Sequence, residues 1–278
     1  MARKVPLSLR TIQIAFGFTE AVYPKYAYKW AVKLFLSPIR LPYTEKGNRF
    51  LNQVESFKFR AGEHEVVGYR RGSGPEVICV HGWAGKASQF AAISEAIVNA
   101  GFTFISFDAW GHGQSEGKQS SLLDFAAAVQ SLLKMFPNTK AIIGHSLGAA
   151  TIPVVASEGI AIPKFVCLGA PSIGEDILET FRQTINGSPK IKDAIRVASI
   201  EQYGRAFDSF SMSETFHTVK SQVLAIHGEE DIDVGIFHLD RLIEIKPEME
   251  VMRVPKLGHR RILKDANVIT RVVAFIGE

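Results

Sequence analysis

The order of apolar and polar residues changes character at residue 76. From there on, short apolar runs alternate with amphipathic stretches to the end of the chain. The runs predict strands at 76–80, 102–107, 140–143, 164–168, 222–226 and 250–254, and the stretches predict helices at 87–99, 121–135, 148–157, 234–245 and 265–276. Such alternation is typical of an α/β fold, in which helices cover both faces of a mostly parallel central sheet.

The first 70 residues follow another pattern. Amphipathic spacing predicts helices at 9–22 and 25–36, with Ser8 as a cap and Pro24 opening the second helix. Two strand-like runs at 54–60 and 65–70 predict an antiparallel hairpin. In the second helix one face carries Lys25, Lys29 and Lys33, and another carries Tyr23, Ala27, Trp30 and Leu34.

Residues 172–218 interrupt the alternation with helical patterns at 175–184 and 190–203 and no clear strand. The interruption follows the carboxyl end of a predicted strand, which is where open parallel sheets bind ligands. We therefore predict a small helical cap at 172–218, an N-terminal helical arm at 1–45, and a core formed by 46–171 and 219–278.

Composition is that of a globular protein. Of 278 residues 46% are hydrophobic, which is enough for one large domain. The net charge is +4, but residues 1–40 contain seven Lys/Arg and only Glu20 as an acid, so the remainder is slightly acidic. The basic charge therefore belongs to the arm, and no nucleic-acid partner is predicted. Cys79 and Cys167 lie in apolar runs, which predicts buried free thiols in a protein of a reducing compartment.

No apolar run reaches the length that crosses a bilayer, and neither a cleavable leader nor a lipidation signal is recognised. We expect a cytoplasmic protein whose arm packs on the body and turns its lysines to water. The alternative is a weak contact of residues 1–40 with the inner face of a membrane, because a helix with lysines opposite aromatic residues suits an interface.

The strongest candidate for chemistry is Gly144-His145-Ser146-Leu147-Gly148, which lies between a predicted strand and a predicted helix. This G-x-S-x-G spacing suits a sharp turn that exposes the Ser146 hydroxyl, with glycines supplying room on either side. The Leu147 amide, at the start of the helix, is then placed to stabilise a developing oxyanion.

A second oxyanion donor is expected at His81-Gly82-Trp83, directly after the strand at 76–80. We assign that role to the Trp83 backbone amide. Two placements of the Trp83 indole are compatible with the sequence: it lines the acyl pocket, or it packs beneath the cap.

A serine nucleophile needs a base and a carboxylate that orients the base, and chain order should be serine, acid, histidine. Asp231, just after the strand at 222–226, is the predicted acid, and His259, after the last strand, is the predicted base. The rival acids are Asp233, then Glu229 and Glu230.

The other histidines are predicted to have supporting or surface roles. His145 is expected to be a packed structural residue, and His112 and His227 to make hydrogen bonds in turns. His64 and His238 are expected at a hairpin and a helix surface, and His217 at the cap exit. Neither metal-ligand spacing nor a phosphate-binding fingerprint is present, so neither a metal nor another cofactor is expected.

These pieces, together with Phe107-Asp108-Ala109-Trp110-Gly111-His112-Gly113-Gln114-Ser115, resemble the α/β-hydrolase superfamily over about residues 50–278, and look most like bacterial carboxylesterase-type members. The resemblance implies Ser146 as nucleophile, Asp231 as acid, His259 as base, and Trp83 and Leu147 as oxyanion donors. Trp110 departs from the smaller residue of many relatives, and we expect it, with Trp83, to border the substrate.

The resulting expectation is a serine hydrolase that cleaves small-molecule carboxylic esters of short to medium acyl length through an acyl-enzyme. The alternatives are an acyl thioesterase acting on a CoA or carrier-linked substrate, since the basic arm suits an acidic carrier, and a peripheral membrane or assembly module acting through the arm.

Overall fold

The structure of the chain, a computed structural model, describes residues 7–278. Within them the strands are β1 (Glu55–Ala61), β2 (His64–Arg71), β3 (Glu76–Val80), β4 (Thr103–Asp108), β5 (Ala141–His145), β6 (Lys164–Leu168), β7 (Val223–Gly228) and β8 (Glu250–Val254). The helices are α1 (Leu7–Val22), α2 (Pro24–Phe35), α3 (Glu45–Leu51), α4 (Ala91–Asn99), α5 (Leu122–Met135), α6 (Leu147–Ser157), α7 (Gly174–Ile185), α8 (Lys190–Tyr203), α9 (Met212–Thr215), α10 (Phe237–Ile245) and α11 (Ala266–Gly277).

Two compact units emerge from the contacts. The helical unit comprises the described N-terminal residues up to Ser37 together with Ile173–Ser211. The sheet unit comprises Pro38–Ser172 and Met212–Glu278. Helix α9 lies within the segment predicted as the cap, but it belongs to the sheet unit.

The helical unit is built by α1, α2, α7 and α8 around a small apolar cluster. Phe16, Ala31, Leu178 and Ile191, one from each helix, are fully buried there. The alanine leaves room for α2 to approach its neighbours closely, since a small side chain fills little of the space between two helices. The partners of the arm helices are therefore α7 and α8, which the sequence analysis did not connect with the arm.

The predicted arm helices are confirmed, and α2 turns its lysines to solvent and its apolar side inward. Lys25, Lys29 and Lys33 are exposed as predicted. Trp30 and Leu34 pack against the apolar cluster, with the Trp30 ring 5.5 Å from that of Phe16. The predicted cap at Ser8 lies within α1, and its side chain is outside the described part of the structure.

The sheet unit contains one eight-stranded sheet in the order β1-β2-β4-β3-β5-β6-β7-β8. β1 and β2 form the predicted antiparallel hairpin, and β2 pairs with β4 antiparallel. All remaining pairs are parallel, so the carboxyl ends of β3 to β8 meet at one edge. The predicted α/β fold with a mostly parallel sheet is confirmed.

Both faces of the sheet are buried, which explains why its inner strands are continuously apolar in sequence. One face packs against α5 and α6 through residues such as Phe107, Phe125 and Ile152. The other packs against α4 and α11 through residues such as Phe104, Ile97 and Val272.

Three local departures from the predicted elements have identifiable causes. α3 is short and is capped by Thr44, whose hydroxyl accepts a hydrogen bond from the Gly47 amide at 3.2 Å. The predicted helix at 87–99 starts as a 3₁₀ turn over Ala87–Phe90, where the Ala87 amide donates to Asp108 at 2.8 Å. α10 starts three residues later than predicted, because the Val234 amide donates to Asp231 at 2.8 Å.

Candidate active site

Ser146 lies on a strained turn between β5 and α6. Its backbone has φ 54° and ψ −123°, a conformation that non-glycine residues rarely adopt. The turn is possible because its neighbours lack side chains: a Cβ on Gly144 would lie 2.4 Å from Ala149 Cα, and one on Gly148 would lie 2.2 Å from the Val80 oxygen. The strain holds Ser146 at the carboxyl edge of the sheet, where it is partly exposed.

The structure brings together the predicted acid and base. Asp231 follows β7 and His259 follows β8, and the His259 Nδ1–Asp231 Oδ2 distance is 2.7 Å. The other carboxylate oxygen accepts hydrogen bonds from the amides of Asp233 at 3.0 Å and Val234 at 2.8 Å. Asp233 is itself exposed, as are Glu229 and Glu230, and none of the three is hydrogen-bonded to the imidazole in the described structure.

The Asp231 carboxylate is set up to remain ionised. Burial by itself raises the pKa of this group, but the hydrogen bond from His259 and the amide of Val234 outweigh it, and the pKa is lowered. An ionised acceptor keeps the proton of His259 on Nδ1. The lone pair on Nε2 is then free to accept a proton.

His145 links the serine turn to the loop after β8, which carries the predicted base His259. The His145 Nε2–H donates to the His259 carbonyl oxygen at 2.9 Å, and the two rings are 4.6 Å apart. Within residues 7–278, no hydrogen bond of 3.5 Å or less joins the Ser146 hydroxyl to the imidazole. In unliganded enzymes this bond is often long, and it tightens when substrate binds.

The predicted oxyanion donors are Leu147, directly after the serine, and Trp83, in the loop after β3. In the described part of the chain neither the Trp83 nor the Leu147 amide donates to a protein acceptor. The loop after β3 approaches the serine closely, because a Cβ on Gly82 would lie 2.9 Å from Ser146 Cβ. Two amides at helix and turn N-termini suit a developing negative charge.

Two buried histidines hold that loop in place. His112 accepts a hydrogen bond on Nε2 from the Ala84 amide at 3.2 Å, while its Nδ1–H donates to the Trp110 oxygen at 2.9 Å. His81 accepts from the Ala109 amide at 3.1 Å. Burial lowers the pKa of His112 to about 3 and also lowers that of His81. Both rings therefore stay neutral, and a neutral ring is needed to accept from an amide.

The two tryptophans predicted to border the substrate both pack against the side of the core formed by α5 and α6. The Trp110 indole stacks on the His64 imidazole of β2, with centroids 4.1 Å apart and planes within 2°. The Trp83 ring lies edge-on to His112 at 5.3 Å. Their contact with a substrate stays a prediction.

A buried carboxylate, Asp108, lies beside the loop after β3 and was not recognised in the sequence as part of the site. Asp108 is fully buried and accepts hydrogen bonds from the hydroxyls of Tyr43 at 2.7 Å and Tyr69 at 2.8 Å, and from the amides of Ala87 at 2.8 Å and Gln114 at 2.7 Å. Burial raises the pKa of both tyrosines, so they remain donors. The sequence signal that could have revealed it is an aspartate at the end of the otherwise mostly apolar strand β4.

Arg40 was also missed, because it had been counted only as part of the basic arm. Its guanidinium donates to carbonyl oxygens of the 111–116 loop: Gly111 at 2.8 Å, His112 at 3.3 Å, Glu116 at 3.3 Å, and Ser115. Arg40 therefore holds the loop that carries His112 through four backbone carbonyl oxygens. In the described residues it forms no ion pair with a carboxylate.

The remaining predicted residues fall into three groups. His227 is buried and donates to the Val234 oxygen at 2.9 Å, which confirms its hydrogen-bonding role, and His217 is exposed. His238 was placed on a helix surface, which is wrong: it is buried and accepts from the Ser172 amide at 3.1 Å. Cys79 and Cys167 are buried free thiols, and burial raises the pKa of each.

Within 7–278 no group of three or more His, Cys, Asp or Glu side chains is arranged to hold a metal ion. In the same residues no helix combines the length and apolar character required to span a bilayer.

A strained serine turn, a nearby Asp–His pair and two amides at the carboxyl edge of a mostly parallel sheet are the features of an α/β hydrolase. A family model described as alpha/beta hydrolase fold matches residues 75–221, which is more than half of the chain. The chain therefore belongs to the alpha/beta hydrolase family. Comparison with curated protein sequences gave no match.

Solved structures of similar fold include several esterases. The Pyrococcus furiosus esterase Pf2001 is 18% identical with a TM-score of 0.65, over 87% of this chain and 97% of that one. The esterase EaEST from Exiguobacterium antarcticum is 15% identical with a TM-score of 0.65, over 81% and 100%. A thioesterase domain from the curacin biosynthetic pathway is 16% identical with a TM-score of 0.59, over 81% and 99%. At these identities the likeness establishes the fold alone.

Proposed function

We propose that this protein is a serine hydrolase that cleaves carboxylic esters. The observation that carries the proposal is the 2.7 Å hydrogen bond between His259 and Asp231, beside a serine held in a strained turn. A serine hydroxyl is a weak nucleophile at neutral pH, and an imidazole kept in one tautomer by a carboxylate is the group that activates it.

In the proposed mechanism Ser146 Oγ attacks the ester carbonyl while His259 Nε2 takes its proton. The carbonyl oxygen becomes an oxyanion that accepts hydrogen bonds from the Trp83 and Leu147 amides. The imidazolium then gives its proton to the departing alcohol, which leaves an acyl group on Ser146. Water, activated by the same imidazole, releases the acid.

The proton transfer requires contact between the Ser146 hydroxyl and Nε2. A rotation of the serine side chain, or its displacement by a bound substrate, is the step that makes this contact in our proposal. Because the His145 ring donates a hydrogen bond to the His259 carbonyl at 2.9 Å, the loop that carries His259 stays next to the serine turn during that step.

A fluorophosphonate probe tests the nucleophile without knowledge of the substrate, because it phosphonylates activated serines. We expect wild-type protein to be labelled on Ser146 and to hydrolyse p-nitrophenyl butyrate, and Ser146→Ala to do neither. Ser157→Ala, at the far end of α6, is the control and should keep both reactions. Labelling of Ser146→Ala at the wild-type rate would contradict the proposal.

We propose short to medium acyl chains as substrates, because the segment inserted after β6 is short and leaves little length for a large lid. A series of p-nitrophenyl esters from acetate to palmitate tests this. The expected result is the highest kcat/KM at eight carbons or fewer, and a maximum at palmitate would overturn the length preference while leaving the serine chemistry intact.

An acyl thioesterase is the second candidate. It is favoured by the exposed lysines of α2, which suit an acidic carrier, and a thioesterase domain is among the proteins of similar fold. Rates on butyryl-CoA and p-nitrophenyl butyrate, measured side by side, separate the two activities. We also propose a cytoplasmic location, which the two buried free thiols support.

A further inference from the structure

The outward side of α1 carries apolar side chains. Ile14, Phe18 and Val22 are spaced four residues apart, so they form one row, and they are 75%, 68% and 48% exposed. The opposite side of the same helix is also apolar and buries Phe16 completely. A helix that is apolar on both sides normally has a partner on each, and an exposed row of this size marks an interaction surface.

The same two helices carry exposed positive charge. Arg10 of α1 and Lys25, Lys29 and Lys33 of α2 are exposed, and none of them has a carboxylate within 4.0 Å in the described part of the chain. α2 contains no acid. The single acid of α1, Glu20, accepts hydrogen bonds from the amide and hydroxyl of Ser188 at 3.1 and 2.5 Å, so it is already engaged.

We propose that the α1–α2 face, defined by Ile14, Phe18, Val22 and the three lysines of α2, binds the surface of a membrane that contains anionic phospholipid. Apolar side chains of a helix lying in the interface enter the boundary between headgroups and acyl chains, while flanking lysines reach the phosphates. Exposed Tyr23 and Tyr26 follow Val22, and tyrosine is favoured at that depth.

This surface shares its lysines and Tyr23 with the one that the sequence pattern indicated, but its apolar side chains differ. The pattern set the lysines opposite Tyr23, Trp30 and Leu34, but Trp30 and Leu34 pack against the apolar cluster of the helical unit. The row that faces solvent comes from α1 instead. A second copy of the chain is a poorer occupant, because it would bring two sets of unpaired cations together. An acidic protein would satisfy the lysines but leaves the isoleucine–phenylalanine–valine row unexplained.

The test is sedimentation of the full chain with vesicles of phosphatidylcholine alone or with 30% phosphatidylglycerol. We expect wild type to sediment with the anionic vesicles at low salt and to be released at 0.5 M salt. Lys25→Glu/Lys29→Glu/Lys33→Glu should weaken the partition coefficient by about 100-fold or more. The control is a second triple variant with the same charge change at exposed sites of the sheet unit, Lys118→Glu/Lys134→Glu/Lys140→Glu. It should bind like wild type.

The apolar row is tested with Phe18→Ser, which should weaken binding at least tenfold, against Met135→Ser, an exposed apolar control on α5 that should not. Ser146→Ala should bind like wild type, so the result is independent of the proposed hydrolysis. No sedimentation of wild type with anionic vesicles, or equal losses in the two lysine variants, would overturn the proposal. So would light scattering that shows a dimer broken by Phe18→Ser without any vesicle binding.

Discussion

Replacing Asp231 with asparagine changes one atom in the proposed acid and should disable the base. Asp231 Oδ1 accepts the amides of Asp233 and Val234, so an asparagine must turn its own oxygen toward those donors. Its NH₂ group then faces His259 Nδ1 in place of the carboxylate oxygen at 2.7 Å. Nδ1 becomes an acceptor, and the imidazole proton moves to Nε2, where it blocks uptake of the serine proton.

The magnitude follows from this tautomer change. The corresponding asparagine substitution in a serine triad lowers kcat by about 10⁴, which equals about 5 kcal/mol in the barrier. Stability should fall less, by about 1.5 to 3 kcal/mol, since one charge-assisted hydrogen bond is lost and the two amide bonds remain. KM should change little, because no contact of the carboxylate with substrate is removed.

The assay is kcat on p-nitrophenyl butyrate together with the rate of fluorophosphonate labelling, which reports the nucleophile directly. Asp233→Asn is the matched control, because Asp233 is exposed and only its backbone amide takes part in the site. It should stay within about twofold of wild type. A kcat for Asp231→Asn above one tenth of wild type, or a comparable loss in Asp233→Asn, would refute the assignment of the acid.

Three further predictions concern the turn and the loop around it. Ser146→Gly should be more stable than Ser146→Ala by about 1 kcal/mol in urea unfolding, because glycine tolerates φ 54° whereas alanine keeps the strain; equal stabilities would show that the turn is unstrained. The folded-state pKa of His112 is about 3 and its unfolded value about 6.5, so the unfolded chain takes up the proton first as pH falls. Wild type should therefore lose about 1 kcal/mol more than His112→Gln between pH 7 and 5.5, and parallel curves would contradict this. Arg40→Ala should lower the unfolding free energy by about 1 to 2 kcal/mol and kcat as well, since the loop that orients His112 loses its donors; an unchanged kcat with reduced stability would separate Arg40 from the site.

Local information in the sequence was sufficient for most strands and helices and for the candidate nucleophile. Parallel strands buried on both faces must be continuously apolar, so the runs at β3 to β7 are visible without coordinates. The Ser146 turn is equally local, because the glycines that make it possible lie two residues away on either side. Asp231 and His259 were found because each lies just past the carboxyl end of a strand, a position that chain order alone defines.

Tertiary structure alone decided which side chains meet across long separations. Arg40 binds a loop more than 70 residues away, and His145 binds the carbonyl of His259, 114 residues away. The two faces of α1 are both apolar, so its pattern could not reveal which face is exposed; the packing of Phe16 against α7 and α8 settles that. Periodicity records which residues avoid water, whereas the partner that excludes the water is chosen by the fold.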